Sequence, residues 1–159
     1  MFTELENSPF SVWVRGDSLW GWPFVVTVHT LGTAVIIGLI FIIALRPLGL
    51  FETIPYTSLK RLFPVLWVAF AVELVTGVML WATKPTRYSA DGAFLLKVLF
   101  VIVGIALTVY LYGAMKREAD SWETAGAVSS NGAKFIAPTL LAWCAVLVLA
   151  RLTAMLGSI

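Results

Sequence analysis

Apolar residues form four long stretches along the chain, and polar segments separate them. The stretches cover about residues 20–45, 63–82, 93–112 and 135–156. Each reaches the length of about 20 residues that an α-helix needs to cross a bilayer. Strands of a membrane β-barrel would instead show alternating segments of about ten residues. The pattern therefore predicts four transmembrane helices in one domain over residues 1–159.

The composition argues against a water-soluble fold. Of the 159 residues, 60% are hydrophobic and 13% are charged, and the mean hydropathy is +0.92. So few polar residues could not shield four apolar helices from water. In lipid such helices are stable, because their backbone N–H and C=O groups hydrogen-bond within the helix. We therefore predict an all-α integral membrane four-helix bundle, with the lipid bilayer as its first partner.

The segments outside the spans predict local structure. Ser8 fits the N-cap and Pro9 the first position of a short helix over 9–14. Because this helix carries apolar side chains, we expect it to lie at the membrane interface. The candidate caps of the first span are Asp17 and Ser18. The longest polar segment, residues 116–134, has charges of both signs and is expected to be a solvated loop.

Positive charges predict the orientation of the chain. Six lysines and arginines lie in the connections after the first and third spans: Arg46, Lys60, Arg61, Lys116, Arg117 and Lys134. Three lie on the other side: Arg15, Lys84 and Arg87. Because cytoplasmic loops carry the excess of such residues, we expect a bacterial inner-membrane protein with both termini in the periplasm. This topology explains the net charge of +2, and no nucleic acid partner is expected.

Four ionisable residues interrupt the apolar stretches, one in each: His29, Glu73, Lys97 and Arg151. Ionisable groups at membrane depth are costly and commonly mark functional sites. At a rise of about 1.5 Å per residue, His29 and Glu73 lie about 13–15 Å below the outer ends of their helices. Lys97 and Arg151 lie roughly 7–9 Å below theirs. All four are therefore expected in the same half of the membrane.

This layering fits haem b, a flat group with two propionates at one edge. His29, the only histidine, would ligate the iron, and Glu73 would accept a hydrogen bond from its other ring nitrogen. Lys97 and Arg151 would form charge-assisted pairs with the propionates. The resulting hypothesis is a haem b protein for electron transfer or for redox or gas sensing, with a periplasmic redox partner.

Two glycines lie one helical turn from the deeper pair. Gly32 follows His29 and Gly77 follows Glu73 at this spacing. Glycine on a helix face permits close packing of helices in a membrane, and it can equally leave a slot for a flat ligand. Both glycines are therefore included in the predicted cofactor site.

Two other functions fit the same ionisable residues. In a non-catalytic scaffold or accessory subunit, His29, Glu73, Lys97 and Arg151 would form a structural network. In a small proton-coupled transporter, His29 and Glu73 would carry the proton. A single histidine supplies only one axial ligand, so the sixth iron ligand stays open, and the sequence does not decide whether the protein is an enzyme. The one cysteine, Cys144, excludes an intramolecular disulfide and a cysteine-based metal site.

The first and fourth spans carry more small residues than the predicted cofactor site alone would need. The first span carries Gly32, Thr33, Ala34 and Gly38, and the fourth carries Ala142, Ala145, Ala150 and Ala154. Helices in lipid associate through close packing at small residues. We therefore predict a homo-oligomer, with closed cyclic symmetry as the default arrangement.

Motifs along nearly the whole chain resemble an uncharacterised bacterial family of four-helix membrane proteins. They are S-x-W-x-x-x-x-S-L-W-G-W-P before the first span, V-H-T-L-G within it, L-x-R-L-F-P and V-T-G-V-M-L at the second, F-L-L-K in the third and A-R-L-T-A in the fourth. His29, Lys97 and Arg151 fall within these motifs. The resemblance implies the fold but no activity. A looser likeness, at the level of the fold, connects the chain with small membrane b-type cytochromes.

Overall fold

Four long helices dominate the fold. The computed structural model describes residues 2–16 and 18–156, and these residues contain no strand. The long helices are α3 (Trp22–Leu45), α5 (Phe63–Thr83), α7 (Gly92–Ala125) and α9 (Ile136–Leu156). Each belongs to a segment long and apolar enough to cross a membrane. This confirms the all-α class and the four long apolar helices, whereas their assembly as a membrane bundle stays a prediction.

Short helices and turns connect the long helices. The short helices are α1 (Phe2–Glu6), α2 (Pro9–Arg15), α4 (Tyr56–Leu59), α6 (Pro85–Ala90) and α8 (Ser130–Ala133). Single 3-10 turns cover Arg46–Leu48 and Lys60–Leu62. Proline at the start of α2, α5 and α6 suits a helix N-terminus, where the missing N–H removes no intrahelical bond.

Helix α2 is the short N-terminal helix that the sequence predicts. The Ser8 side chain caps it by accepting the Ser11 backbone N–H at 3.2 Å. Ser11 is itself buried, and its hydroxyl donates to the Ala82 carbonyl at 3.1 Å. These bonds dock α2 against the end of α5, and a position at the membrane interface stays a prediction.

The start of α3 differs from the prediction. Gly21, and not Ser18, precedes its first residue, and Ser18 instead accepts the Trp20 backbone N–H at 3.2 Å. A Cβ at Gly21 would lie 2.8 Å from the Trp13 carbonyl oxygen, so the turn packs directly against α2 and only glycine fits. Ser18 is therefore wrong as a cap, and Asp17 lies outside the described residues.

Helix α7 is longer than its apolar stretch. It continues to Ala125, so the prediction of a solvated loop over 116–134 is wrong for its first ten residues. Trp122 is buried, and its indole N–H donates to Glu118 at 3.1 Å on the preceding turn. Gly126, with φ of 66°, adopts the left-handed conformation that ends the helix. The polar extension is helical because one face packs against the core.

The long helices pack as two antiparallel hairpins. Helix α3 packs with α5 and α7 with α9, and the hairpins meet mainly through α3 and α9. We call the end of the molecule at which α3 begins and α5 ends the site end. The opposite end, at which α3 ends and α5 begins, is the core end.

Tight apolar packing is concentrated toward the core end. The buried cluster there includes Ile36, Ile40, Ile43, Tyr56, Leu59, Phe63, Leu66, Leu111, Met115, Ala119 and Trp122. Toward the site end, several of the buried positions are glycine or threonine: Gly32, Thr76, Thr83 and Thr153. The two halves of the molecule therefore differ in chemistry, and the ionisable residues belong to the more polar half.

Candidate functional site

The His29 and Glu73 side chains contact each other across the α3–α5 interface. His29 Nε2 lies 3.1 Å from Glu73 Oε1, and the side chains are 25% and 22% exposed. Glu73 occupies the midpoint of α5, ten residues from either end of Phe63–Thr83. The antiparallel pairing of α3 and α5 brings these two predicted site residues to the same depth. The result is a hydrogen-bonded acid–base pair between the first third of α3 and the midpoint of α5.

Thr76 fixes the orientation of the imidazole ring. His29 Nδ1 lies 2.9 Å from the Thr76 hydroxyl oxygen, which is largely buried. The single hydrogen of that hydroxyl donates to the Val72 carbonyl at 2.8 Å, the usual partner of a threonine within a helix. Its oxygen is then free to accept the Nδ1–H. This arrangement leaves Nε2 as the nitrogen that faces Glu73.

A second threonine holds the carboxyl group. The Thr33 hydroxyl lies 2.6 Å from Glu73 Oε1 and 3.1 Å from the His29 carbonyl oxygen. Thr33 and Thr76 were not predicted as site residues. The signal was their spacing, because Thr33 lies one turn after His29 and Thr76 one turn after Glu73.

The other carboxyl oxygen of Glu73 packs against a glycine. Glu73 Oε2 is buried and has no hydrogen-bond partner among the described residues. A Cβ at Gly32 would lie 2.7 Å from this oxygen, closer than a real contact permits. A Cβ at Gly77 would lie 3.4 Å from His29 Cε1. Both glycines therefore make room for the His29 and Glu73 side chains.

The two cations occupy different places. Lys97 interacts electrostatically with His29, Glu73 and Asp91. No carboxylate lies within 4.0 Å of Lys97 among the described residues, and its ammonium lies 5.0 Å from the centre of the Phe94 ring. Arg151 is exposed. The structure thus brings three of the four ionisable residues within electrostatic range of each other, and Arg151 forms no ion pair in the described part of the chain.

The contact between Nε2 and Oε1 has room for one proton. If Glu73 carries it, the carboxyl O–H donates to Nε2; if His29 carries it, the Nε2–H donates to the carboxylate. Loss of that proton leaves lone pairs facing each other at 3.1 Å and one negative charge, which the positive charge of Lys97 partly offsets. The His29–Glu73 pair can therefore bind or release one proton, and the hydrogen bond between Nε2 and Oε1 favours the proton-bound form.

Haem b binding at His29 stays a prediction. Both ring nitrogens already have partners, Glu73 and Thr76, so ligation of iron would require one of these contacts to break. Gly32 and Gly77, included in the site as a slot for the ring, are contacted by the Glu73 and His29 side chains. The described residues hold no cluster of three or more histidine, cysteine, aspartate or glutamate side chains that suits a metal ion.

The site-end half therefore contains a protonatable pair, two threonines that orient it and a nearby lysine. Comparison of the chain with known protein families, with curated proteins and with solved structures finds no match.

Proposed function

We propose that the protein is a proton-coupled membrane protein that binds one proton between His29 and Glu73. The observation that carries the proposal is the contact of 3.1 Å between His29 Nε2 and Glu73 Oε1. Paired ionisable residues within membrane helices are the usual elements of proton relays in transporters and pumps. Proton-coupled transport is accordingly the class of function that the pair supports best.

The proton exchanges with the solution at the site end. On α7, Lys97 and then Asp91 lie progressively closer to the site end, and Lys97 interacts electrostatically with both Glu73 and Asp91. Toward the core end, apolar side chains such as Ile36, Ile40 and Leu66 are at most 1% exposed. Such packing excludes water. Passage of the proton to the core end requires the α3–α5 hairpin to rearrange.

A titration of the Glu73 carboxyl group tests proton binding directly. In infrared difference spectra of the reconstituted protein, the C=O band of a protonated carboxyl group should disappear as the sample is titrated from acid to alkaline pH. Glu73→Gln should remove this band. Lys97→Met should change the pH at which the band disappears, because it removes a positive charge that interacts with Glu73.

Lys84→Met provides the matched control, because Lys84 is an exposed cation near the same end of the molecule. It should leave the titration unchanged. A Glu73 band that does not respond to pH would contradict the proposal and favour the structural network of a non-catalytic scaffold or accessory subunit.

An absorption spectrum separates proton binding from haem binding. If His29 binds a proton shared with Glu73, protein purified from haem-replete cells should show no Soret band. The haem b hypothesis expects a Soret band that shifts on reduction and disappears in His29→Ala. A Soret band present in the wild-type protein and lost in this variant would overturn the proposed function.

A further inference from the structure

A second polar feature lies at the core end, away from the His29–Glu73 pair. It is a recess of about 310 Å³ with a mainly polar lining. The residues that line it are Arg46, Pro47, Gly49, Glu52, Tyr56 and Gly126. They come from the 3-10 turn and loop that follow α3, from the first residue of α4 and from the residue that follows α7. We call this feature the Arg46 recess.

Arg46 is held in place by contacts within the protein, and some of its N–H donors remain available for a ligand. Its Nε–H donates to the Ile54 carbonyl at 2.7 Å, and its guanidinium carbon lies 4.4 Å from the centre of the Tyr56 ring. One Nη lies 3.4 Å from the Tyr56 hydroxyl. A guanidinium has five N–H donors, and no carboxylate lies within 4.0 Å of Arg46 in the described part of the chain. The remaining donors suit a phosphate group.

Glu52 gives the same recess a negative charge. It is exposed and forms no ion pair within 4.0 Å among the described residues. Its Oε1 would lie 3.7 Å from a Cβ at Gly49. The recess therefore holds two opposite charges that do not pair with each other. A ligand with both a phosphate and an ammonium group would satisfy both.

Exposed apolar side chains lie beside the recess. Leu48, Leu50 and Phe51 are 56%, 47% and 49% exposed. Phe51 has φ of 57°, a left-handed conformation that is uncommon for a residue other than glycine. Apolar side chains next to charged groups at the end of an apolar helix are typical of a segment at the headgroup level of a membrane. This arrangement favours a lipid over a soluble ligand.

From these observations we infer that the Arg46 recess binds the headgroup of phosphatidylethanolamine. Arg46 contacts the phosphate, Glu52 accepts hydrogen bonds from the ammonium group, and the apolar loop side chains contact the acyl chains. The inference needs the membrane setting but not the proton site, so the two can fail separately.

Lipid retention in native mass spectrometry tests the inference. The protein is reconstituted in nanodiscs with equal amounts of phosphatidylethanolamine, phosphatidylcholine and phosphatidylglycerol, and the lipids that remain bound after release are counted. Phosphatidylethanolamine should be retained over phosphatidylglycerol, which lacks the ammonium group, and over phosphatidylcholine, whose quaternary ammonium has no N–H. Glu52→Gln should reduce the preference for phosphatidylethanolamine over phosphatidylglycerol about tenfold. This is the change in affinity expected for the loss of one hydrogen bond to a charged group.

Matched variants separate the recess from general charge effects. Arg46→Gln should lower the retention of all three lipids, whereas Arg61→Gln should not, because Arg61 is exposed and lies outside the recess. Glu52 is exposed, so its variant carries the test even if Arg46→Gln fails to fold. Equal retention of the three lipids by the wild-type protein would overturn the inference. If the protein binds soluble phosphoethanolamine but shows no preference among the three lipids, the ligand is a soluble compound and not a lipid.

Discussion

Replacing His29 with leucine should lower the free energy of unfolding by roughly 2–3 kcal/mol. The substitution removes the partner 3.1 Å from Glu73 Oε1 and the partner 2.9 Å from the Thr76 hydroxyl. Glu73 then stays half-buried with no base beside it, and this accounts for most of the loss. Tryptophan fluorescence during denaturant titration in a mild detergent measures the change.

The double variant His29→Leu, Glu73→Leu makes the prediction specific. Because two leucines leave neither an unpaired carboxyl group nor an unpaired imidazole, it should be about 1–2 kcal/mol more stable than the sum of the two single losses implies. Thr30→Leu is the control, since Thr30 is exposed and its hydroxyl bonds, among the described residues, to the Val26 carbonyl of its own helix. Its effect should stay within about 0.5 kcal/mol. Strictly additive single losses would refute the coupling of His29 and Glu73.

Replacing Gly32 with alanine should destabilise the protein by about 2 kcal/mol. The new Cβ would lie 2.7 Å from Glu73 Oε2, so the carboxyl group or the α3–α5 interface must move. Displacement of the carboxyl group lengthens its contact with His29. The same variant should therefore also change the infrared band of the Glu73 carboxyl group, and both effects are measurable on one preparation.

Gly38→Ala is the matched control on the same helix. Beyond its own helix backbone, a Cβ at Gly38 meets no atom of the described residues within 4 Å, so the substitution should be neutral or add up to about 1 kcal/mol of stability through helix propensity. Similar losses for Gly32→Ala and Gly38→Ala would indicate that glycine matters here for helix association between chains, which is the homo-oligomer prediction.

The four long helices were predictable because lipid imposes a simple rule on sequence. A spanning segment must form all its backbone hydrogen bonds internally, which favours a helix, and it must contain about 20 apolar residues. Both conditions can be recognised in the sequence alone. The extension of α7 was missed for the opposite reason. Residues 116–125 are polar, and their helical structure depends on tertiary contacts such as the burial of Trp122, which the sequence pattern does not reveal.

The candidate site was predictable in composition but not in geometry. Depth counting places His29 and Glu73 at one level, and the structure puts them in contact. It places Arg151 near the level of Lys97, yet depth says nothing about the direction in which a side chain points, and Arg151 is exposed. Thr33 and Thr76 were missed because threonine in apolar helices commonly bonds its own backbone. Their second role depends on the partner helix.

Helix α7 gives the molecule a rigid rod that is longer than a bilayer is thick. Its 34 residues extend about 51 Å, whereas the hydrocarbon core measures about 30 Å. One uninterrupted helix therefore connects Lys97, which interacts electrostatically with His29 and Glu73, with Glu123, whose carboxylate accepts the Tyr56 backbone N–H at 2.6 Å. A small tilt at one end becomes a lateral displacement of several ångströms at the other. Under the proposed function, this geometry would couple protonation near one end of α7 to movement at its other end.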